Sequence, residues 1–214
     1  MHDNVTVATP EADFARPDPE VVARLAALPV ANIGDAMDRL GLLDSRIQAI
    51  WPGARLAGAA LTVWTRAGDN AALHEALAIA KPGDVIVVNG QGDETRALLG
   101  DLIGAKALAR GVAGFVLDGA ARDAESLGDI GMPVFARACT PAGPYKFGPG
   151  RVGVPVAVGG VSVNAGDVVV GDGDGVAVIA RDEAERVAEA AQAVFDDEAR
   201  RRAAIPAPLA SVRG

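Results

Sequence analysis

Apolar positions along this chain alternate between stripes at helical spacing and short unbroken runs. After Asp18 and Pro19, the segment VVARLAAL repeats its apolar residues every three or four positions up to Pro29. An aspartate placed to cap, with proline at the first helical position, predicts a helix there. A second short helix is predicted over 35–40, stopped by Gly41. LAGAALTVWTR at 56–66 reads as a strand. AALHEALAIA at 71–80 reads as a helix, with Asp69 and Asn70 as cap candidates. DVIVVN at 84–89 is an unbroken apolar run, as expected of a strand buried on both faces. A turn with Gly90 and Gly92 then leads into a predicted helix over 94–110. Leu98, Leu102, Ala105 and Leu108 form its stripe, and Gly111 ends it. Residues 112–117 form a second buried strand, so strand, helix and strand predict a βαβ crossover in an α/β fold.

Beyond Asp118 the texture changes. A short helix is predicted to end over 127–130, and a strand covers 133–138. TPAGPYKFGPGRVGVP at 140–155 is mostly loop by its proline and glycine content. Short strands follow in VPVAVGGVSV, DVVVG and GVAVIA, with GDGDG at 171–175 as a hairpin turn. Residues 181–202 predict a terminal amphipathic helix. With no repeat and no clear linker, the expectation is an arm over 1–18, one domain over 19–205 and a tail over 206–214 opened by Pro206 and Pro208.

Composition narrows the classes. Half of the 214 residues are hydrophobic and 22% are charged, which excludes a disordered chain. No apolar run approaches the roughly 20 residues of a membrane helix. The first residues lack the basic-then-apolar pattern of a secretory signal. A single cysteine, Cys139, permits no internal disulfide, so a cytoplasmic location is expected. The formal charge of −8 leaves no electrostatic footprint for nucleic acid. Of the 20 basic residues only three are lysines, at 81, 106 and 146, which limits any chemistry built on a lysine imine.

The chemistry-bearing stretch is GDLIGAKALARGVAGFVLDGAARDAE, from 100 to 125. Asp118, Arg122 and Asp123 are expected just past the carboxyl end of a central strand, where open α/β sheets place their ligands. A guanidinium grips a carboxylate through two parallel hydrogen bonds, and a carboxylate binds a hard divalent cation. Together they suit a 2-oxo acid, its carboxylate on the arginine and its carbonyl on a metal. An ordinary Arg/Asp ion pair at a strand end is the other reading that the spacing leaves open.

Five segments carry a resemblance: GDAMDRLG at 34–41, GDNAALHEAL at 68–77, PGDVIVVNG at 82–90, the block over 101–123, and the run from GMPVFARACTPAGPYKFGPG to VVVGDGDGVAVI over 131–179. They resemble the RraA-like family, which includes class II 4-hydroxy-4-methyl-2-oxoglutarate and 4-carboxy-4-hydroxy-2-oxoadipate aldolases, related oxaloacetate decarboxylases, and regulators of ribonuclease E. The resemblance implies a three-layer β-β-α sandwich of the swivelling phosphohistidine-domain type, and trimers or hexamers with sites between subunits. It implies a metal-dependent lyase acting on a small 2-oxo acid with Mg2+ or Mn2+. By position, Arg122 matches the arginine that grips the pyruvyl carboxylate, Asp123 the metal ligand, and Asp101 the acid that handles protons. Gly100, Leu102 and Ile103 match a helix start whose amides receive the carboxylate. Glu198, from the C-terminal helix of a neighbouring subunit, matches an acid that completes the metal shell. The family's aldolases carry an acid three positions after the aspartate of Arg-Asp, where this chain has Ser126 and its nearest acid is Glu125. The other function class is a protein-binding regulator of ribonuclease E without lyase chemistry, which an acidic surface would suit.

The remaining features read as structural. His74 is expected as a packed or capping residue, and Asp35 and Asp38 as caps. GDGDG lacks the twelve-residue calcium loop, and no Gly-x-Gly-x-x-Gly follows an early strand, which argues against a nucleotide or methyl-donor cofactor.

Overall fold

A computed structural model describes residues 14–205. The expectations for residues 1–13 of the arm and for the tail at 206–214, with Pro206 and Pro208, lie outside the described residues. The elements in chain order are α1 (Pro19–Ala26), α2 (Val30–Ala36), β1 (Gln48–Ala49), β2 (Leu56–Thr65), α3 (Ala71–Ile79), β3 (Asp84–Leu99), α4 (Asp101–Ala109), β4 (Gly114–Ala121), α5 (Ala124–Asp129) and β5 (Val134–Cys139). Then come β6 (Gly150–Val152), β7 (Val156–Val158), β8 (Val161–Val163), β9 (Val168–Asp172), β10 (Gly175–Ile179) and α6 (Ala184–Ala203).

One sheet runs β1-β5-β4-β3-β2-β9-β10, with β6 added beside β2. β2, β3, β4 and β5 are mutually parallel, and α3, α4 and α5 make the crossovers. In register across these four strands, Leu61 pairs with Ile86, Ile86 with Phe115, and Phe115 with Val134. That row faces the core under α3 and α4, with Leu73, Ala76, Ile103 and Ala107. One residue along, Val85, Val87, Val116 and Phe135 face the other way, against the separate β7–β8 hairpin. The period of two thus divides each central strand between two cores, and the molecule stacks helices, sheet and hairpin as three β-β-α layers. At the β9–β10 end, α1, α2 and α6 cover the helical face through Leu25, Ile33, Val187 and Ala191. Phe115 and Phe135 are fully buried, each worth about 1.5–3 kcal/mol of transfer free energy.

Several expectations need correction. The second helix lies at Val30–Ala36 rather than 35–40. It starts at Pro29, and Asp172 reaches from β9 to accept the Val30 amide at 3.0 Å. Asp38 and Arg39 take left-handed φ values of 53° and 65°, which end any helix there. The helix expected over 94–110 begins only at Asp101, because β3 runs on as an irregular strand to Leu99. Ala97 and Leu99 register with Ala120 and Ala121, and the Ala97 amide donates to Ala142 O at 2.8 Å. The buried positions of α4 are Ile103, Gly104 and Ala107, so Leu102 and Leu108 of the expected stripe are exposed. Asp118 does not lie past its strand. β4 extends to Ala121, and the Asp118 side chain points toward the hairpin layer, paired with Arg137 and accepting the Gly159 amide at 2.9 Å. Of the stretch expected as a loose arm, Phe14 packs against the core and Arg16 forms two hydrogen bonds with the buried Asp84, at 2.7 and 2.8 Å.

Candidate active site

Two neighbouring parallel strands end side by side, and their ends make the site. β3 stops at Leu99 and turns through Gly100 into α4, while β4 stops at Ala121 and turns through Arg122 and Asp123 into α5. The Arg122 amide donates to Leu99 O at 3.0 Å, which ties the two turns together. Asp123 sits at the N-cap of α5 with φ 58°, one of four non-glycine residues at positive φ among the described residues. Such a conformation costs free energy and persists where the surroundings enforce it. Here it turns the carboxylate back toward the neighbouring strand end, where Asp123 Oδ2 accepts the Asp101 amide at 3.2 Å and stands 3.4 Å from Arg122 Nε. Gly100 is extended and unstrained, but a Cβ on it would overlap Asp123 Oδ2 and crowd Arg122 Cγ and Nε. The glycine is therefore what lets the arginine and the aspartate approach the start of α4 so closely.

The first turn of α4 presents its amides at the same place. Asp101 Oδ1 accepts the Leu102 amide at 2.7 Å, and Ile103 donates to Gly100 O at 3.1 Å. The Leu102 amide thus already carries a carboxylate, supplied by the chain itself, as expected at the positive end of a helix.

A cavity of about 170 Å³ opens over these groups, lined by Gly100, Asp101, Leu102, Ile103 and Arg122. That volume suits a small acid rather than a dinucleotide or a methyl-donor cofactor. The structure therefore gathers Gly100, Asp101, Leu102, Ile103 and Arg122 around one hollow, with Asp123 just behind its wall. Glu198 lies elsewhere, on α6, which packs on α1 and α2 at the β9–β10 end. Among the described residues no three His, Cys, Asp or Glu side chains form a ready cation cage. Two carboxylates, Asp123 and Asp101, stand near the hollow. One or two carboxylates, with water and substrate oxygens, is the donor set by which Mg2+ is ordinarily held, so the residues fit a hard divalent ion.

A further part of the wall, Asn70, His74, Lys106, Pro144 and Lys146, was not legible as such in the sequence. His74 is half-buried and faces the cavity; burial, and then the charges of Lys106 and Lys146, hold its imidazole below the usual range. Asn70 is 2% exposed; its Nδ2 donates to Leu98 O at 2.9 Å, while Oδ1 has no hydrogen-bond partner among the described residues. The signal that could have found this wall is the scarcity of lysine, since two of the three lysines line it.

Comparison with known proteins fits this geometry. Residues 30–178 match the family described as RraA-like, Aldolase/RraA. A protein of Halalkalibacterium halodurans is 41% identical over 86% of this chain and 88% of its own length. The chain belongs to the RraA-like family. That RraA-like relative bears the name "Putative 4-hydroxy-4-methyl-2-oxoglutarate aldolase", and a protein of Shewanella oneidensis with the same name is 37% identical over 51% of this chain and 67% of its own. Among solved RraA-like structures, Streptomyces coelicolor RraAS2, described as an unusual member of the RNase ES inhibitor RraA protein family, superposes with a TM-score of 0.81. It is 30% identical and covers 89% of this chain and 100% of its own. No described helix is long and apolar enough to cross a membrane.

Proposed function

We propose that the chain is a divalent-metal-dependent lyase that cleaves 2-oxo diacids of the 4-hydroxy-4-methyl-2-oxoglutarate type to pyruvate and decarboxylates oxaloacetate. The observation that carries this reading is the convergence of Arg122, Asp101 and the first turn of α4 on one small cavity, with the Asp123 carboxylate bonded to the Asp101 amide directly behind it. Both reactions break a bond to C3 of a 2-oxo acid and leave an electron pair on the pyruvyl half. Arg122 holds the carboxylate of that half through parallel hydrogen bonds, and its charge counters the negative charge that builds up next to it. The Leu102 amide holds the same carboxylate, so substrate takes the place there that Asp101 fills in the free protein, while the Ile103 amide stays on Gly100 O. That exchange releases the Asp101 carboxylate to handle protons: one leaves the C4 hydroxyl in the retro-aldol, and one arrives at C3 in either reaction. Asp123, with Asp101 beside it, would hold Mg2+ or Mn2+, which when bound supplies Lewis-acid stabilisation of charge on the 2-oxo oxygen.

The shell around Asp123 is completed, in this reading, by Glu198 of a second copy of the chain in a homo-oligomer, a trimer or a hexamer. Glu198 on α6 is far from its own chain's site, and Leu102 at the cavity mouth is 73% exposed, an apolar surface that a neighbouring copy would cover.

Pyruvate release from oxaloacetate and from 4-hydroxy-4-methyl-2-oxoglutarate tests the reading. Release should vanish with EDTA and return with Mg2+ or Mn2+; full activity with EDTA present overturns it. Asp123→Ala should abolish turnover, and Arg122→Ala should raise KM and lower kcat together. Tight binding of a ribonuclease with no turnover of any 2-oxo acid would favour the regulator class instead.

A further inference from the structure

A second hollow lies at the carboxyl end of β2. It measures about 290 Å³, larger than the cavity over Arg122, and shares no lining residue with it. Trp64, Thr65, Arg66, Gln91 and residues 149–151 surround it. Side chains alternate along β2. Leu61 and Val63 pack under α3 and α4, so Trp64 faces the hairpin side of the sheet. Trp64 is the one exposed position of β2, at 45%.

Trp64 stands directly opposite Arg151 of β6, whose guanidinium lies 5.8 Å from the indole ring. That distance is near the outer limit of a cation–ring attraction. Among the described residues the Arg151 guanidinium has no carboxylate and no hydrogen-bond acceptor, and the ring is the one group it pairs with. Arg66 is different: Asp69 at 3.2 Å and the Tyr145 ring at 5.3 Å already hold it, so it adds a partly balanced charge. Gln91 closes the hollow on the β3 side. It takes φ 63° between Gly90 and Gly92, its amide donates to Asn89 Oδ1 at 2.9 Å, and its side-chain Nε2 donates to Thr65 O at 2.8 Å. A non-glycine residue in the left-handed region costs free energy, and strain of this kind gathers at ligand clamps.

We propose that this hollow is a second ligand site, which takes a small planar aromatic carboxylate with its ring on Trp64 and its acid group on Arg151. An indole half open to water gains from a flat partner, because stacked rings attract beyond the area they cover. An unpaired guanidinium gains from a carboxylate, whose two oxygens match its parallel N–H groups. The volume admits one or two fused rings with an acid group and is too small for a dinucleotide. The carboxyl ends of parallel strands are also where α/β sheets place ligands. With no lining residue in common, this site stands apart from the lyase reading.

The test is calorimetric titration of the full chain with three probes: 2-naphthoate, its saturated counterpart decahydronaphthalene-2-carboxylate, and the neutral 2-naphthalenemethanol. The planar acid should bind about fivefold more tightly than either of the others, the effect expected of one ring stack or one exposed charge pair. Trp64→Leu and Arg151→Gln should each cut its affinity by about the same factor, and high salt should weaken it in the wild type. Both side chains are exposed, so the variants should keep the wild-type melting temperature. NMR gives an independent reading from the two tryptophans of the chain. The Trp64 indole N–H signal should shift on titration, while that of Trp51, bonded to Met132 O at 2.9 Å, should not. Equal affinity for the three probes would overturn the proposal. So would an affinity for 2-naphthoate that neither variant changes, since the acid would then bind elsewhere. Absence of binding would overturn it too, and shielding of Trp64 from acrylamide would then show that a second copy of the chain covers the hollow.

Discussion

Asp123 Oδ2 and the Asp101 amide nitrogen are 3.2 Å apart, although the two residues belong to different crossovers of the sheet. The contact exists because Gly100, one step before Asp101, has no side chain to stand between them. Gly100→Ala should therefore push the Asp123 carboxylate and the Arg122 side chain out of register with the start of α4. The expected result is a loss of pyruvate release of about 100-fold, as misplacements near 1 Å produce. The backbone at Gly100 is extended and accepts alanine, so the far-ultraviolet circular dichroism should be unchanged.

Arg16 and Asp84 predict a stability effect far from the site. Asp84 is fully buried and accepts the Lys81 amide at 2.8 Å in addition to the two bonds from Arg16. Arg16→Ala leaves a buried carboxylate without its counter-charge, which costs about 3–5 kcal/mol. Urea unfolding should show a lower midpoint with an unchanged slope.

The parts of the fold legible in the sequence are those fixed by local pattern. β2, α3 and the DVIVVN segment of β3 were readable because each is an apolar run or stripe bounded by polar or turn-forming residues, with cap candidates just before α3. Residues 94–99 were not, because leucines four apart fit a helix as well as an irregular strand. What decides there is the Ala97 amide bonding to Ala142 O, a contact 45 residues away. Asp118 was misplaced for a related reason: the strand continues through Gly119, Ala120 and Ala121, small residues with weak strand preference that pairing with β3 holds extended. In the site, Gly100, Asp101, Arg122 and Asp123 were found through a resemblance in a contiguous block. Asn70, His74, Lys106 and Lys146 come from three separate segments, and only the packing of α3, α4 and a strap over residues 142–149 joins them.

His74 gives a pH dependence of stability. Burial and the two neighbouring ammonium groups hold its folded-state pKa below the usual 6.5. Above 6.5 the imidazole is neutral whether folded or not, and it contributes nothing. As pH falls below 6.5 the unfolded chain takes up the proton before the folded one does, so stability drops until the lower folded-state pKa is passed. His74→Gln should remove that part of the slope in thermal melts between pH 7 and pH 5.

Asp69 governs the strap. It is fully buried, and its carboxylate accepts the Ala71, Phe147 and Gly148 amides while pairing with Arg66 at 3.2 Å. Asp69→Asn keeps the shape but replaces one acceptor oxygen with a donor that must face a donor. If the amide nitrogen turns toward Phe147 and Gly148, the strap loses both bonds; if it turns toward Ala71, the start of α3 loses its cap. Either way about 1–3 kcal/mol of stability should go. Urea unfolding of Asp69→Asn should show a lower midpoint with an unchanged slope, and an unchanged midpoint would mean that these three amide bonds add no net stability.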